Sequence, residues 1–168
     1  MEILSTILKI AFLKAKPQDL PYNIQLALIA LLGCIATSIL QASVTNLKVL
    51  PITFFIMQSL LFAVFLFLLL KASNKAPRYI QSATAFFAVL TLEQLIVYVF
   101  VMMPNAALFI LIVQIWSFTA RAHILRQALQ NSLGASFFLL FAMTMLNYTV
   151  IVSLYFDILT PLIMPQAQ

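Results

Sequence analysis

Acidic residues, glycine and cysteine are all rare in this chain of 168 residues, which has four Asp and Glu, two Gly and one Cys. The single cysteine, Cys34, excludes an intrachain disulfide, a CxxC redox pair and a cysteine-based zinc site. We interpret it as a small packing residue, because a free buried cysteine usually behaves as one. Only 8% of the residues are charged, against about 25% in soluble domains, so the composition excludes an ordinary soluble protein.

The sequence motifs of familiar intramembrane enzymes are also missing. The chain has no HExxH, no GxSxG, no aspartate-rich motif and no glycine-rich phosphate loop. We therefore expect no enzymatic activity, no cofactor and no metal site. The nine Lys and Arg are confined to short stretches between apolar runs, which is not the pattern of a nucleic-acid surface, so we expect no nucleic-acid partner.

Long apolar runs make up most of the chain. Hydrophobic residues account for 64% of it and the mean hydropathy is +1.11, which predicts a membrane protein. A helix of about 20 residues crosses a hydrocarbon core. The five runs that reach or approach this length lie at about 22–42, 51–70, 80–103, 105–121 and 133–157. We expect an all-α, polytopic helical membrane protein, built as one membrane domain with a loosely ordered tail at 158–168.

Residues 2–16 predict a separate amphipathic helix before the first span. On a helical wheel Ile3, Leu4 and Ile7 share an apolar face, opposite Lys9. A helix of this kind lies in the plane of the membrane interface. We expect it to lie on the inner leaflet and to anchor the first span.

The Lys and Arg fall on one side of the predicted spans. Eight of the nine precede span one, follow span two or follow span four, and only Lys48 lies in a loop of the other side. The positive-inside rule therefore predicts a cytoplasmic N-terminus and a C-terminus on the opposite side of the membrane.

Strongly polar side chains lie near the centres of four spans. They are Gln58 in the second span, Glu93 and Gln94 in the third, Gln114 in the fourth and Asn147 in the fifth. A carboxylate at the bilayer centre costs about 2.5–3.5 kcal/mol, so it turns inward, finds a partner or takes up a proton. We expect these side chains to meet in one intramembrane polar layer.

Two interpretations of this layer stay open. In the first, Glu93 and the amides hydrogen-bond one another and fix the register of the helices, at about 0.6 kcal/mol per contact. In the second, Glu93 is the centre of a small carrier, because intramembrane carboxylates often mark transport paths. The sequence pattern places no second acid and no Lys or Arg in the interior of a span and offers few glycines to break helices, which favours the first interpretation.

Arg121, His123 and Arg126 follow the apolar part of span four. The helical pattern continues through them to Gln130, and one helix over 105–130 would be about 39 Å long against a hydrocarbon core of about 30 Å. We expect its end to project into the cytoplasm. There the three basic side chains would contact anionic lipid head groups or an acidic partner surface.

A family resemblance rests on the five-span topology with short loops, a cytoplasmic N-terminus and a basic stretch between spans four and five, and on two segments of sequence. Trp116, the run Arg121-Ala-His-Ile-Leu-Arg-Gln-Ala-Leu and the later Ser132-Leu-Gly resemble bacterial relatives of the Yip family, five-span Ypt-interacting membrane proteins. The run Lys16-Pro-Gln-Asp-Leu-Pro-Tyr is similar to that of small uncharacterised proteobacterial membrane proteins. The resemblance implies a non-enzymatic helical membrane protein that works through partners or lipids. Together with the charge bias it favours a bacterial inner membrane, with an intracellular eukaryotic membrane as the alternative. It does not imply Rab binding, because the Asp-Leu-Tyr-Gly-Pro motif of eukaryotic members is absent.

Two functions follow from these observations. The favoured one is a scaffold, assembly factor or accessory subunit of a membrane complex, in which the span-four extension and the basic loops contact lipids and another membrane protein or a second copy of the chain. The alternative is a small proton- or ion-coupled carrier centred on Glu93. They differ in whether function depends on the titration of Glu93.

Overall fold

Six α-helices make up nearly all of the part of the chain that the computed structural model describes, residues 2–44, 50–103 and 106–156. The helices are α1 (Glu2–Ala11), α2 (Ile24–Val44), α3 (Ile52–Ala72), α4 (Tyr79–Val101), α5 (Ala107–Leu129) and α6 (Leu133–Leu154). These ranges contain no strand, which confirms the predicted all-α fold. The five helices α2 to α6 are long and apolar enough to cross a membrane, as predicted for a polytopic membrane protein.

The helix bounds agree with the predicted spans. For four spans, no helix end differs from its predicted position by more than three residues; these spans are 22–42, 51–70, 80–103 and 133–157. The helix of the fourth predicted span is α5, and it continues to Leu129, as its sequence pattern predicts. The predicted tail at 158–168 lies outside the described residues.

Side-chain caps fix where two of the spanning helices begin. Asn23 Oδ1 accepts from the backbone N–H groups of Gln25 at 2.8 Å and Leu26 at 3.2 Å, at the start of α2. The Ser132 hydroxyl accepts from the Ala135 N–H at 3.2 Å, at the start of α6. Each cap satisfies a backbone donor that a helix N-terminus leaves unpaired. A short polar residue directly before an apolar run therefore starts each helix.

The central helix of the bundle is α4, which contacts α1, α2, α3 and α5. Its closest packing is against α2, where a Cβ added to Gly33 would lie 3.5 Å from the Thr91 hydroxyl oxygen. α6 packs against α3 and α5. The apolar core between these helices is formed by Phe62, Leu66, Phe86, Phe87, Leu125 and Leu140.

The N-terminal segment packs against α4 and α5 at the end of α1. Ile10 and Ala11 are fully buried there, and Leu13, with a left-handed φ of 63°, turns the chain after the helix. Leu4 and Phe12 are 60% and 61% exposed, so α1 keeps an open apolar face. This face is consistent with the interfacial position predicted for residues 2–16, which stays a prediction.

Three connecting segments meet at one end of the bundle, which we call the basic end. Lys75 Nζ donates to Gln130 Oε1 at 2.9 Å, and Arg78 Nη1 donates to the Ala128 carbonyl at 3.0 Å. Arg78 thereby caps the C-terminus of α5, where a cation is favoured. Gln18 Nε2 donates to the last turn of α5 at 3.4 Å. The basic residues of these segments and of the last turns of α3 and α5 are Lys14, Lys16, Lys71, Lys75, Arg78 and Arg126.

Candidate functional site

A buried ion pair joins α4 to α5 near the middle of both helices. Arg121 Nη2 lies 3.3 Å from Glu93 Oε2, and the two side chains are 10% and 7% exposed. The Ser117 hydroxyl donates to the same carboxylate oxygen, and Arg121 Nε donates to the Ser117 carbonyl at 3.3 Å. Each charge lies about 12 Å from the nearer end of its helix, at about 1.5 Å per residue. Both charges are therefore paired at a depth where a lone charge is costly.

Two aromatic rings stand beside the guanidinium group. Arg121 Cζ lies 5.9 Å from the ring centroid of Phe86 and 5.8 Å from that of Phe118. Both distances fall within the range of about 6 Å in which a ring face attracts a cation. The rings and the carboxylate together stabilise the charge of Arg121 inside the bundle.

Arg121 and His123 are buried, so the predicted contact of these two side chains with lipid head groups or a partner is wrong. Each residue is only 8% exposed. His123 Nε2 donates to the Ala15 carbonyl at 3.2 Å, and Trp116 Nε1 donates to the Ala11 carbonyl at 3.0 Å. The protein's own N-terminal segment thus covers the face of α5 that carries Trp116 and His123, whereas Arg121 is buried against Glu93 of α4.

Arg126 differs from its two neighbours because it is exposed in the last turn of α5. Its contact with anionic lipid or an acidic partner stays a prediction. Ala120, Ile124 and Leu125, in the same part of α5, are fully buried. The span-four extension therefore offers a strip around Arg126 for an outside contact, and its projection into the cytoplasm stays a prediction.

A cavity of about 540 Å³ lies beside the ion pair, between helices α2 to α6. Glu93 and Arg121 form part of its wall. Its lining also includes Gln41 in the last turn of α2, Leu50 before α3 and Val152 near the end of α6. These three residues lie at the end of the bundle opposite the basic end, which we call the far end. The cavity therefore extends from the ion pair towards the far end.

Four of the five residues predicted to form the polar layer line this cavity, namely Gln58, Glu93, Gln94 and Gln114. Gln94 also joins two helices, because its Nε2 donates to Ser38 Oγ at 2.8 Å and its Oε1 accepts from the Thr37 hydroxyl. Neither partner belongs to the predicted layer, so Gln94 connects α4 to α2, and mutual hydrogen bonding of Glu93 and the amides stays a prediction.

Asn147, the fifth residue, lies behind the cavity wall between α6 and α3. It is 1% exposed, and its Nδ2 donates to the backbone carbonyl of Gln58 at 3.1 Å. Its Oδ1 has no hydrogen-bond partner in the described part of the chain. Asn147 therefore connects two helices and is not a group that the cavity presents.

Gln58 and Gln114 present unused amides to the cavity. Neither side chain hydrogen-bonds any residue within the described ranges, although both line the wall. Gln114 is exposed, and Tyr148, which also lines the cavity, is 51% exposed. These two residues thus border the cavity on one side and the outside of the bundle on the other.

Sequence reasoning missed Ser117 and Arg121 as members of the site. Gln114, Ser117 and Arg121 have the spacing i, i+3 and i+7, which places them on one face of α5. This polar stripe within the fourth span was the signal for a partner of Glu93. The count of Lys and Arg in each loop did not reveal this stripe, because it assigned Arg121 to the loop that follows the apolar run.

The composition of the cavity wall is that of a small-molecule site. Among the described residues, no group of three or more His, Cys, Asp and Glu lies close enough to hold a metal ion. Its wall combines one ion pair and free amides with many apolar side chains, the arrangement typical of small-molecule sites.

Comparisons of the chain with protein-family models, with curated proteins and with solved structures give no match. The resemblance to the Yip family therefore stays a prediction. The function has to be inferred from the geometry of the cavity and its ion pair.

Proposed function

We propose that this chain is a non-enzymatic integral membrane protein that binds a small molecule beside Glu93 and Arg121 and carries it across the membrane together with a proton. The observation that supports the proposal most is the contact of a buried ion pair with a cavity of about 540 Å³. A pair that only joined helices would need no cavity, since protein interiors pack at a density of about 0.75 with few voids. Of the two functions predicted from the sequence, the geometry favours the carrier.

The scaffold function loses most of the surface on which it depends. It was argued from the span-four extension and the basic loops, but the N-terminal segment covers much of that extension, through the contacts of Trp116 and His123. Arg78 and Lys75 bond to the end of α5. The side chains of Trp116, His123, Lys75 and Arg78 therefore stabilise the fold of the chain itself.

Size and polarity support the binding of a small molecule. Ligand sites of roughly 300–1,000 Å³ enclose most of a drug-sized ligand, with a few polar groups that orient it. The cavity is within this range. Its free amides at Gln58 and Gln114 would orient a bound molecule, and the ion pair would supply the coupling charge.

We infer further that the protein lies in a bacterial inner membrane with the basic end in the cytoplasm. Lys and Arg side chains near the membrane favour the cytoplasmic side, and the described loops place theirs at the basic end. The cavity then extends towards the opposite side. Contact of Arg126 with anionic lipid, and association with a second copy or another membrane protein, belong to the same proposal.

The accessibility of the cavity tests the proposed function. In a Cys34→Ala background, which has no other cysteine, we expect Gln58→Cys to react with a membrane-impermeant methanethiosulfonate added on the far-end side. The expected reason is water that reaches Gln58 through the cavity. Labelling is measured by mass shift after treatment of right-side-out and inverted membrane vesicles.

The matched control is Ile29→Cys in the same background, because Ile29 is 65% exposed on the outer face of α2 and should contact lipid. It should not react from either side. A Gln58→Cys variant that reacts no faster than this control would show that water does not reach the cavity, and the carrier function would be overturned.

A further inference from the structure

We propose that the ligand of the cavity is an organic monoanion with an apolar body, that it replaces Glu93 as the partner of Arg121, and that Glu93 takes up one proton when it binds. This inference rests on the proposed function and names its substrate class. It follows from the different chemistry of the two paired groups.

Charge neutrality selects the class of ligand. The guanidinium group of Arg121 keeps its charge at any physiological pH, whereas a carboxylate such as Glu93 can be neutralised by a proton. An uncompensated charge inside a membrane bundle is costly. An anion that arrives with one proton leaves Arg121 paired and the cavity neutral, but a cation bound at Glu93 would leave Arg121 without its partner.

The guanidinium group of Arg121 has unused N–H donors that can bind an anion. A guanidinium group carries five N–H donors, of which Nε bonds to the Ser117 carbonyl and one on Nη2 faces Glu93. Within the described residues its other donors have no partner. Arg121 is 8% exposed and lines the cavity, so this nearly buried group offers a place for two oxygens of an anion.

No other group near Glu93 competes for this role. The titratable or charged side chains that line the cavity are Arg121 from α5, Cys34 from α2 and Tyr148 from α6. The cavity residues of α3 include none, and α4 contributes only Glu93 itself. The proton that accompanies the anion is therefore assigned to Glu93.

Much of the rest of the cavity wall is apolar or aromatic. Its phenylalanines come from α3, α4 and α5 and are Phe54, Phe55, Phe62, Phe87 and Phe118. Such a wall favours a ligand whose body is a ring or a hydrocarbon chain. The wall thus distinguishes an organic anion from chloride or inorganic phosphate.

The exchange balances in charge and protons. The contact between Arg121 and Glu93 opens, a contact between Arg121 and the anion forms, and a proton from the bulk solution binds the Glu93 carboxylate. The site changes from one negative and one positive group to one anion, one positive group and a neutral acid. One anion and one proton therefore enter together, without net charge.

Three probes with the same ring separate the possible ligand classes. They are benzenesulfonate, which stays anionic and takes no proton itself, neutral benzenesulfonamide, and cationic benzylammonium. We expect benzenesulfonate alone to bind the purified full chain in detergent. Calorimetry in two buffers of different ionisation enthalpy should count one proton taken up per anion. Affinity should rise as the pH falls, by up to about tenfold per pH unit.

Two variants assign the anion and the proton to their residues. Glu93→Gln should bind benzenesulfonate without proton uptake. The ligand should raise the free energy of unfolding of this variant more than that of the wild-type protein, because the anion restores a partner to Arg121. The double variant Glu93→Gln/Arg121→Gln keeps the bundle neutral, which protects its fold, and should bind benzenesulfonate roughly 10- to 100-fold more weakly than the wild-type protein.

Several results would overturn this inference. They are preferred binding of benzylammonium, binding of benzenesulfonate with no proton taken up, unchanged affinity in the double variant, or no binding by any of the three probes. Binding of benzenesulfonamide alone would also overturn it while leaving the proposed function in place. Failure of the proposed function itself is recognised separately, by the absence of labelling at Gln58→Cys.

Discussion

Replacing Glu93 by Gln is expected to lower the free energy of unfolding by about 3–5 kcal/mol, the loss typical when one member of a buried ion pair is removed. Arg121 then keeps its charge near the middle of α5 without a carboxylate beside it. Arg121→Gln should be milder, at roughly 1–3 kcal/mol, because Glu93 can take up a proton and keep the hydrogen bond with Ser117. The measurement is reversible unfolding in mixed detergent and SDS micelles.

The double variant Glu93→Gln/Arg121→Gln is the control for this prediction. It removes both charges and leaves two amides that can bond to each other, so its stability should return to within about 1 kcal/mol of the wild-type value. Equal losses in the two single variants, with simple addition in the double one, would contradict a direct pairing of these side chains.

Filling the cavity is expected to abolish most ligand binding without unfolding the bundle. Thr144 lines the cavity on α6, and within the described part of the chain its hydroxyl bonds only to the Leu140 carbonyl of its own helix, at 2.8 Å. Thr144→Trp places a large ring in the space that a ligand would occupy. We expect the affinity for benzenesulfonate to fall by roughly 10- to 100-fold, equivalent to an overpacking cost of about 1–3 kcal/mol.

Thr149→Trp provides the matched control on the same helix. Thr149 bonds in the same way to its own helix, at 2.9 Å from the Met145 carbonyl, but it is exposed on the outside of the bundle. Its substitution should leave both binding and unfolding unchanged. A loss of affinity as large as that of Thr144→Trp would indicate that the ligand site lies outside the cavity.

The fold was largely predictable because it depends on local properties of the sequence. Apolar runs of sufficient length specify helices that cross a membrane, and caps such as Asn23 and Ser132 set their starts. The residues of the polar layer were visible for the same reason, since a strongly polar side chain stands out in an apolar run.

The pairing within the site was less predictable because it depends on tertiary contacts. Arg121 stands beside His123 just beyond the apolar run, so its sequence neighbourhood resembles a cytoplasmic loop. It is buried because it pairs with Glu93 and lies beside the ring of Phe86, both on α4, and the sequence of α5 alone does not show these contacts. The cavity was likewise hidden, since side-chain volumes in a sequence do not show how helices separate in space.

Proton movement driven by an anion gradient tests most directly whether Glu93 and Arg121 form the centre of a carrier. The full chain is reconstituted in vesicles with a pH-sensitive dye inside, equal pH on both sides and the membrane potential clamped at zero. Adding benzenesulfonate outside should acidify the interior, and the double variant Glu93→Gln/Arg121→Gln should show none of this acidification. Anion entry without acidification, or with acidification that persists in the double variant, would contradict coupling through this ion pair.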